Sequence, residues 1–415
     1  MQTSSRLLLK ALNALGGPET IEPADTRSRY TLLAALAAQP PQRHADAATW
    51  RGSRTHTPET SVRHRYRATS AVSLMTGLVV GVSAGYWTGW ANKPATPYGA
   101  QPATANVQQV IDVGSAATGA TFGPSETLAI GTARGSVTVL DVRHPKEKVE
   151  LGNTSAGPVT RTVFSPEGSV LAVGSDDGTV RLWRSPMNSP QRPAATLPMR
   201  EDGQYGGAVN DLAYSPDGRF LAVASSTSTV RIWDVSKPER PVALAAPSRE
   251  HAVTRLAFNP VGNVLAVGST DGTVQLWDME NPAKPRTIEG SQLATGASVT
   301  ALAFSANRES LAIGTSRGSV QLWNVSQPAN PHRVDSARAV GYTNDLSFNT
   351  PGYVLAASNS DGTVRVWDEL SDLMNPRVLT RETNQGELSS VTFANGNDNT
   401  LAVTGTDGFV QLWTA

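Results

Sequence analysis

Three histidines beyond position 106 have the side chain best suited to acid–base or metal chemistry. They are His144, His251 and His332, and they lie far apart in segments between successive repeats of the sequence. Imidazole can move protons or ligate a metal near neutral pH. No His-Glu-x-x-His spacing accompanies them, no Asp-x-Asp-x-Asp-Gly loop is present, and no convergent pair of carboxylates can be identified. The sequence therefore predicts no catalytic residue, no metal site and no cofactor.

The charge distribution and the cysteine content limit the classes of partner and the kinds of chemistry that the sequence allows. Residues 1–106 contain eleven Lys/Arg against five Asp/Glu, whereas the remainder of the neutral chain is mildly acidic. A mildly acidic main domain argues against nucleic acid as a partner. The chain has no cysteine, which excludes disulfides, thiolate catalysis and cysteine-based metal sites.

Residues 71–90 carry no charge, and twenty residues of helix span roughly 30 Å, the thickness of a bilayer core. Arginines precede this segment at 63, 65 and 67, and Tyr86, Trp87 and Trp90 stand at its far end. We expect a transmembrane helix over 70–91, with the N-terminus cytoplasmic and the C-terminal bulk extracytoplasmic by the positive-inside rule. A signal peptide cleaved after Val82-Ser83-Ala84 and a buried soluble helix are the alternatives.

Small residues recur every fourth position in this segment, at Ser73, Gly77, Gly81, Gly85 and Gly89. Such a column lets two helices approach closely in lipid, and predicts homodimerisation. The alternative is that glycine is common in membrane helices. Residues 1–69 are interpreted as a short helical and flexible basic cytoplasmic segment, and residues 92–106 as a Pro/Ala/Thr linker.

The rest of the chain is repetitive. VTRTVFSPEGSVLAVGSDDGTVRLW (159–183) returns as VTRLAFNPVGNVLAVGSTDGTVQLW (253–277), and seven copies occur in all. Each predicts three strands, with a two-residue turn that is often Asp-Gly before the third strand. One more short β run lies between copies. Four strands per unit at this spacing predict an all-β, seven-bladed propeller over 107–415. Because only Thr-Ala follows Trp413, residues 107–113 are expected to supply the last blade's fourth strand.

These repeats resemble the WD40 family, through the SPDG-type turns, the LAVGS strands and six tryptophans at the repeat ends: Trp183, Trp233, Trp277, Trp323, Trp367 and Trp413. Leu140 stands at the tryptophan position of the first copy. Many WD40 blades contain a hydrogen-bonded His–Ser/Thr–Asp–Trp set, and here the histidine is missing. The turn aspartates Asp177, Asp271, Asp361 and Asp407 are therefore assigned to turn formation.

The resemblance also implies a partner-binding face, formed by the loops that lead into each repeat. Candidate contact residues on this face are Arg200, Glu201, Asp202, Tyr205, Arg249, Glu250, His251, Tyr342, Arg381 and Glu382. Each could equally be a solvated loop residue. The favoured function is a membrane-anchored, non-catalytic scaffold that binds other proteins. The alternatives are a transmembrane sensor with a ligand-binding propeller, and a propeller hydrolase.

Overall fold

A computed structural model describes residues 103–104, 106–151, 157–188, 192–199, 207–307, 309–338, 341–380, 386–395 and 400–414. The expected N-terminal segment, the transmembrane helix with its glycine column and the linker before Ala103 lie outside these residues. Within the described ranges, no helix is long and apolar enough to cross a bilayer.

The described chain is almost entirely strand. Two strands lead in: β1 (Ala103–Thr104) and β2 (Asn106–Asp112). Blade 1 contains β3 (Ala117–Phe122), β4 (Thr127–Thr132), β5 (Val137–Asp141) and β6 (Val149–Leu151). Blade 2 contains β7 (Val159–Phe164), β8 (Val170–Ser175), β9 (Thr179–Arg184) and β10 (Ala195–Pro198). Blade 3 contains β11 (Val209–Tyr214), β12 (Phe220–Ser225), β13 (Val230–Asp234) and β14 (Val242–Ala245).

Blades 4 to 7 follow the same plan. Blade 4 contains β15 (Val253–Phe258), β16 (Val264–Ser269), β17 (Thr273–Asp278), β18 (Arg286–Thr287) and β19 (Leu293–Ala294). Blade 5 contains β20 (Val299–Phe304), β21 (Ser310–Thr315), β22 (Ser319–Asn324) and β23 (His332–Arg338). Blade 6 contains β24 (Thr343–Phe348), β25 (Leu355–Asn359), β26 (Thr363–Trp367) and β27 (Arg377–Thr380). Blade 7 contains β28 (Leu388–Phe393), β29 (Thr400–Gly405) and β30 (Phe409–Thr414). Two 3₁₀ turns, Pro124–Glu126 and Pro186–Asn188, complete the described elements.

Each blade is an antiparallel sheet ordered from an inner to an outer strand. The inner strand of every blade contacts that of the next, and β28 of blade 7 contacts β3 of blade 1. The sheets therefore close into a ring, which confirms the predicted all-β, seven-bladed propeller. His332 lies between two repeats, as predicted, and is the first residue of the outer strand β23.

Both ends of the described chain meet in blade 7. Strand β2 pairs with β30 over Asn106–Asp112 and is the outer strand of that blade. Ahead of it, β1 pairs in parallel with β27, so the chain that enters the ring also covers the outer edge of blade 6. Pairing these edges removes unpaired N–H and C=O groups that could recruit another strand.

The small residues of the second strands are explained by packing between blades. All six residues of Val170–Ser175 are buried, because the strand has neighbours on both edges and a blade against each face. A Cβ added to Gly174 would lie 2.7 Å from Val209 Cγ1 of the next blade, and one added to Gly268 would lie 2.6 Å from Val299 Cγ1. Glycine at this position therefore sets how closely two blades approach.

The repeated tryptophans pack each blade against the one before it. Trp183 lies among Val139 and Leu151 of blade 1, and Trp413 among Val364 and Leu379 of blade 6. Trp183, Trp367 and Trp413 are at most 1% exposed. Leu140 occupies the corresponding place in blade 1, where it packs with residues of blade 7. Five of these tryptophans are buried and Trp323 is partly buried, which makes them a major part of the core.

Candidate functional site

One face of the ring carries the loops that lead into the inner strands and the turns between second and third strands; we call it the entry face. In every blade, the residue before the inner strand accepts a backbone hydrogen bond of 2.9–3.0 Å from the first residue of that turn. The pairs are Ala133–Ala116, Asp176–Pro158, Ser226–Ala208, Thr270–Ala252, Ser316–Ser298, Ser360–Tyr342 and Thr406–Glu387. Each entry loop is thereby fixed to a rigid hairpin, which is how propellers present loop side chains for recognition.

Three of the predicted contact residues, Arg249, Glu250 and His251, lie in one groove between blades 3 and 4. The groove encloses about 350 Å³, and Asp271 and Trp277 also line it. The groove places a cationic side chain and two carboxylates beside the Trp277 indole. It is open enough for a side chain from another molecule to enter.

Hydrogen bonds hold the groove in shape. The Arg249 backbone N–H donates to Ser228 O at 2.8 Å, and its guanidinium donates to the Gln275 side chain. Burial lowers the pKa of Arg249, although the charges of Asp271 and Glu250 act in the opposite direction. His251 Nε2 lies 3.8 Å from Asp271 Oδ2, and the His251 side chain remains 52% exposed. The histidine is thus available to a partner while its orientation is guided by the aspartate.

Tyr342 lies on the same face but in a different part of the ring. It precedes the inner strand of blade 6, and its hydroxyl donates to Glu387 Oε2 of blade 7 at 3.1 Å. Burial and this hydrogen bond raise the pKa of the Tyr342 phenol. The structure does not bring Tyr342 into the groove of Arg249. Arg200, Glu201, Asp202, Tyr205, Arg381 and Glu382 lie outside the described residues.

The turn aspartates act locally. In the turns of blades 2, 4 and 6, Asp177, Asp271 and Asp361 accept hydrogen bonds from the backbone N–H and hydroxyl of the threonine two residues on. Asp407 accepts from the Phe409 backbone N–H. In blade 2, Ser175 donates to Pro158 O, and Trp183 Nε1 has no hydrogen-bond partner among the described residues. A Ser–Asp–Trp network is therefore not formed there.

Where a glutamine precedes the tryptophan by two residues, it accepts the indole hydrogen bond. Gln321 accepts from Trp323 at 3.1 Å and Gln411 accepts from Trp413 at 3.0 Å. Arginine stands at this position in blade 2 and cannot accept. Blade 6 also has arginine there, and its Trp367 indole donates instead to the Leu373 carbonyl oxygen at 2.8 Å.

Sequence reasoning missed a charged cluster in the central channel. The third residues of four inner strands, Arg161, Asp211, Arg255 and Asp345, line a cavity of about 180 Å³ to which the inner strands of all seven blades contribute. A β-bulge interrupts the pairing of each inner strand just before this position. Aligning the repeats column by column would have placed these charges at one position.

Two further features bear on catalysis. In the part of the chain that the structure describes, no three His, Asp or Glu side chains lie close enough to hold a metal ion. Gly314-Thr-Ser-Arg-Gly318 has the Gly-x-Ser-x-Gly spacing of a hydrolase nucleophile turn. Ser316, however, lies on the β21–β22 hairpin turn, whereas that motif requires a strand-to-helix turn.

The fold defines a β-propeller assembled from repeated four-stranded units. Residues 146–184 match the family model "WD domain, G-beta repeat", and residues 211–412 match "Nucleolar protein 10-like, N-terminal domain". The predicted resemblance is confirmed: the WD-repeat model matches one of the repeats, and the described residues form a seven-bladed propeller.

Comparison with solved structures supports the same fold. A chain of "Crystal Structure of Mitotic Checkpoint Complex" aligns with a TM-score of 0.63 and 18% identity over 81% of this chain and 99% of that chain. Because 1834 solved chains match and this one shares so little sequence, the likeness shows the fold alone. Curated proteins give no match to this sequence.

Proposed function

We propose that this chain is a non-catalytic scaffold that binds a partner protein at the entry face of blades 3 and 4. The observation that carries the proposal is the groove of Arg249, Glu250, His251, Asp271 and Trp277. Arginine and tryptophan are enriched at the energetic centres of protein interfaces. The match of residues 146–184 to the WD-repeat model also supports a role in protein assembly.

The groove is suited to a partner side chain that has an apolar stem and a polar end able to form hydrogen bonds. Arg249 is held by Gln275, so binding need not order a long flexible side chain, and this lowers the entropic cost of association. Asp271 and Glu250 would attract a cationic group to the groove, which the largely buried Trp277 also borders. We therefore expect a lysine or arginine of the partner to enter the groove.

Site-specific photo-crosslinking in the native cell tests this proposal. A photoreactive residue at Glu250 should yield a discrete protein adduct, and the same residue at Glu280, exposed on the opposite face, should not. Arg249→Glu in the Glu250-labelled protein should abolish the adduct, whereas Arg333→Glu, at an exposed position on outer strand β23 of blade 5, should leave it. Equal adducts from both faces, or an adduct indifferent to Arg249→Glu, would refute the assignment.

The proposal includes anchoring through residues 70–91, with the propeller extracytoplasmic. It is supported by the uncharged stretch 71–90, the preceding arginines and the aromatic residues at the far end. Protease treatment of intact cells carrying an epitope tag after Ala415 should remove the tag while cytoplasmic markers survive. Survival of the tag until lysis would reverse the orientation, and recovery of the tag in the soluble fraction would refute the anchor.

The glycine column supports self-association of that helix. Replacing both Gly81 and Gly85 by isoleucine should abolish dimers in detergent, because the larger side chains keep the helices apart. Replacing Val79 and Val80 by isoleucine is the matched control and should leave the dimers unchanged. Absence of dimers in the unaltered chain would exclude this role.

A further inference from the structure

In the central channel, the two carboxylates have more hydrogen-bond partners than the two guanidinium groups. Asp211 accepts from Arg161 Nε at 3.1 Å and from the Leu256 backbone N–H at 2.7 Å. Asp345 accepts from Ser390 Oγ at 2.7 Å and from the backbone N–H of Leu346 at 3.1 Å. Both carboxylates therefore have donors in the protein itself.

The arginines are not satisfied in the same way. Arg255 donates to Thr254 O at 2.8 Å and reaches Asn344 O at 3.5 Å, both neutral carbonyls. Its Nε has no hydrogen-bond partner and, among the described residues, it forms no ion pair within 4.0 Å. Among the described residues, the Arg161 guanidinium makes one hydrogen bond, from Nε to Asp211 Oδ1.

Small neighbours leave space around both guanidinium groups. In the neighbouring blade 1, the third residue of the inner strand is Gly119. A Cβ added to Gly119 would lie 3.8 Å from Arg161 Nη1. In blade 5, which lies between the blades of Arg255 and Asp345, the third residue of the inner strand is Ala301. The channel cavity of about 180 Å³ would hold roughly six water molecules at liquid density, which is room for an ion of four or five heavy atoms.

The charge of Arg161 disfavours the charged form of Arg255. Burial and the neighbouring charge of Arg161 lower the pKa of Arg255 to about 10, although Asp211 and Asp345 act in the opposite direction. Arg255 is therefore still cationic at neutral pH, and the fold bears the cost of an enclosed cation without a carboxylate partner. A bound anion would offset this cost.

We infer that the central channel is a binding site for one small oxyanion, held between the guanidinium groups of Arg161 and Arg255. Guanidinium groups present paired N–H donors that match the oxygens of carboxylate or phosphate. The site is separate from the entry-face groove and does not depend on the proposed partner.

Calorimetric titration of the full-length chain with inorganic phosphate, and separately with acetate, tests the inference at constant ionic strength. We expect saturable binding of about one ion per chain, tighter for phosphate because its tetrahedral oxygens can accept hydrogen bonds from both guanidinium groups. Arg255→Met should abolish this binding, whereas Arg286→Met on the exposed strand β18 should leave it unchanged. Heat without saturation, or equal binding by Arg255→Met, would overturn the inference.

Thermal unfolding without added oxyanion supplies a second readout. Arg255→Met should unfold at the same or a higher temperature than the unaltered chain, because an apolar side chain replaces an unpaired enclosed cation. If that variant fails to fold, Arg255→Lys keeps the charge but loses the planar fork, and should weaken phosphate binding about tenfold or more. Unchanged affinity in Arg255→Lys would overturn the guanidinium's role. Neither variant should alter the crosslink from Glu250.

Discussion

The hydroxyl of Ser389 in blade 7 donates a 2.7 Å hydrogen bond to the carbonyl oxygen of Ala117 in blade 1. Three other junctions repeat this contact, from the second residue of one inner strand to the first residue of the next: Asn210 to Val253, Thr254 to Val299, and Asn344 to Leu388. The donor is the residue that the β-bulge leaves out of the ladder. The bulge thus frees a side chain to join neighbouring blades.

Blades 4 and 5 offer a matched test of this contact. Thr254 Oγ1 donates to Val299 O at 2.7 Å, whereas the Thr300 hydroxyl has no hydrogen-bond partner among the residues that the structure describes. Thr254→Val should lower the free energy of unfolding by about 1 kcal/mol, because it removes a hydrogen bond without changing the shape of the side chain. Thr300→Val should be neutral or stabilising. Urea unfolding measures both, and equal effects would show that the junction bond contributes nothing.

The close approach of blades 4 and 5 predicts a second asymmetry. Gly268→Ala places a Cβ 2.6 Å from Val299 Cγ1, and the blades must separate to accept it. We expect a loss of about 1–3 kcal/mol, typical of an overpacked core. Gly119→Ala, whose nearest contacts are at 3.8 Å, should change stability by less than about 0.5 kcal/mol. Similar losses for the two would contradict the packing argument.

The indole of Trp413 is fully buried, and its N–H depends on Gln411. Gln411→Leu should destabilise the protein by about 1–3 kcal/mol, since it leaves a buried donor without an acceptor. Gln327→Leu, at an exposed position, should cost little. Calorimetry compares the two melting temperatures, and a stable Gln411→Leu variant would show that the indole finds another acceptor.

Asp141 predicts an acid-sensitive turn in blade 1. Hydrogen bonds from Arg143, at 2.8 Å from Nη2 and 2.9 Å from the backbone N–H, hold the pKa of Asp141 at about 2. Because the folded pKa lies below the unfolded value, the contribution to stability is complete above about pH 4 and is lost as the pH falls towards 2. Carboxyl NMR titration should show this value, and Arg143→Gln should raise it towards 3.8. An unchanged titration in Arg143→Gln would assign the shift to another cause.

The repeat pattern was sufficient to predict the fold. The period sets the strands in each blade, and the number of copies sets the size of the ring. Five of the six tryptophans are buried because they recur beside apolar strand residues. The functional groups were predicted less well. Arg249 and His251 are neighbours in sequence and share a groove, but Tyr342 lies two blades away because position around the ring separates them.

The channel charges show the limit of such reasoning more clearly. In the runs VTRTVF and VNDLAY, Arg161 and Asp211 look like polar residues on half-exposed strands. Their meeting depends on a bulge that turns the third residue towards the axis and on the radius of a closed ring. The bulge recurs within every repeat, but the radius of the ring does not belong to any single repeat, so the cluster appears only after the blades are assembled.

The pairing of β2 with β30 sets an order of events during synthesis. Strand β2 leaves the ribosome first, and its partner follows roughly 300 residues later, which at 5–20 residues per second is a delay of about 15–60 s. Throughout that interval the early strand has no partner, and the nascent ring remains an open arc with two free edges. A chain that stalls before Phe409 cannot close. Its unpaired edge strands would remain accessible to chaperones and proteases, whereas the closed ring has no such edges there.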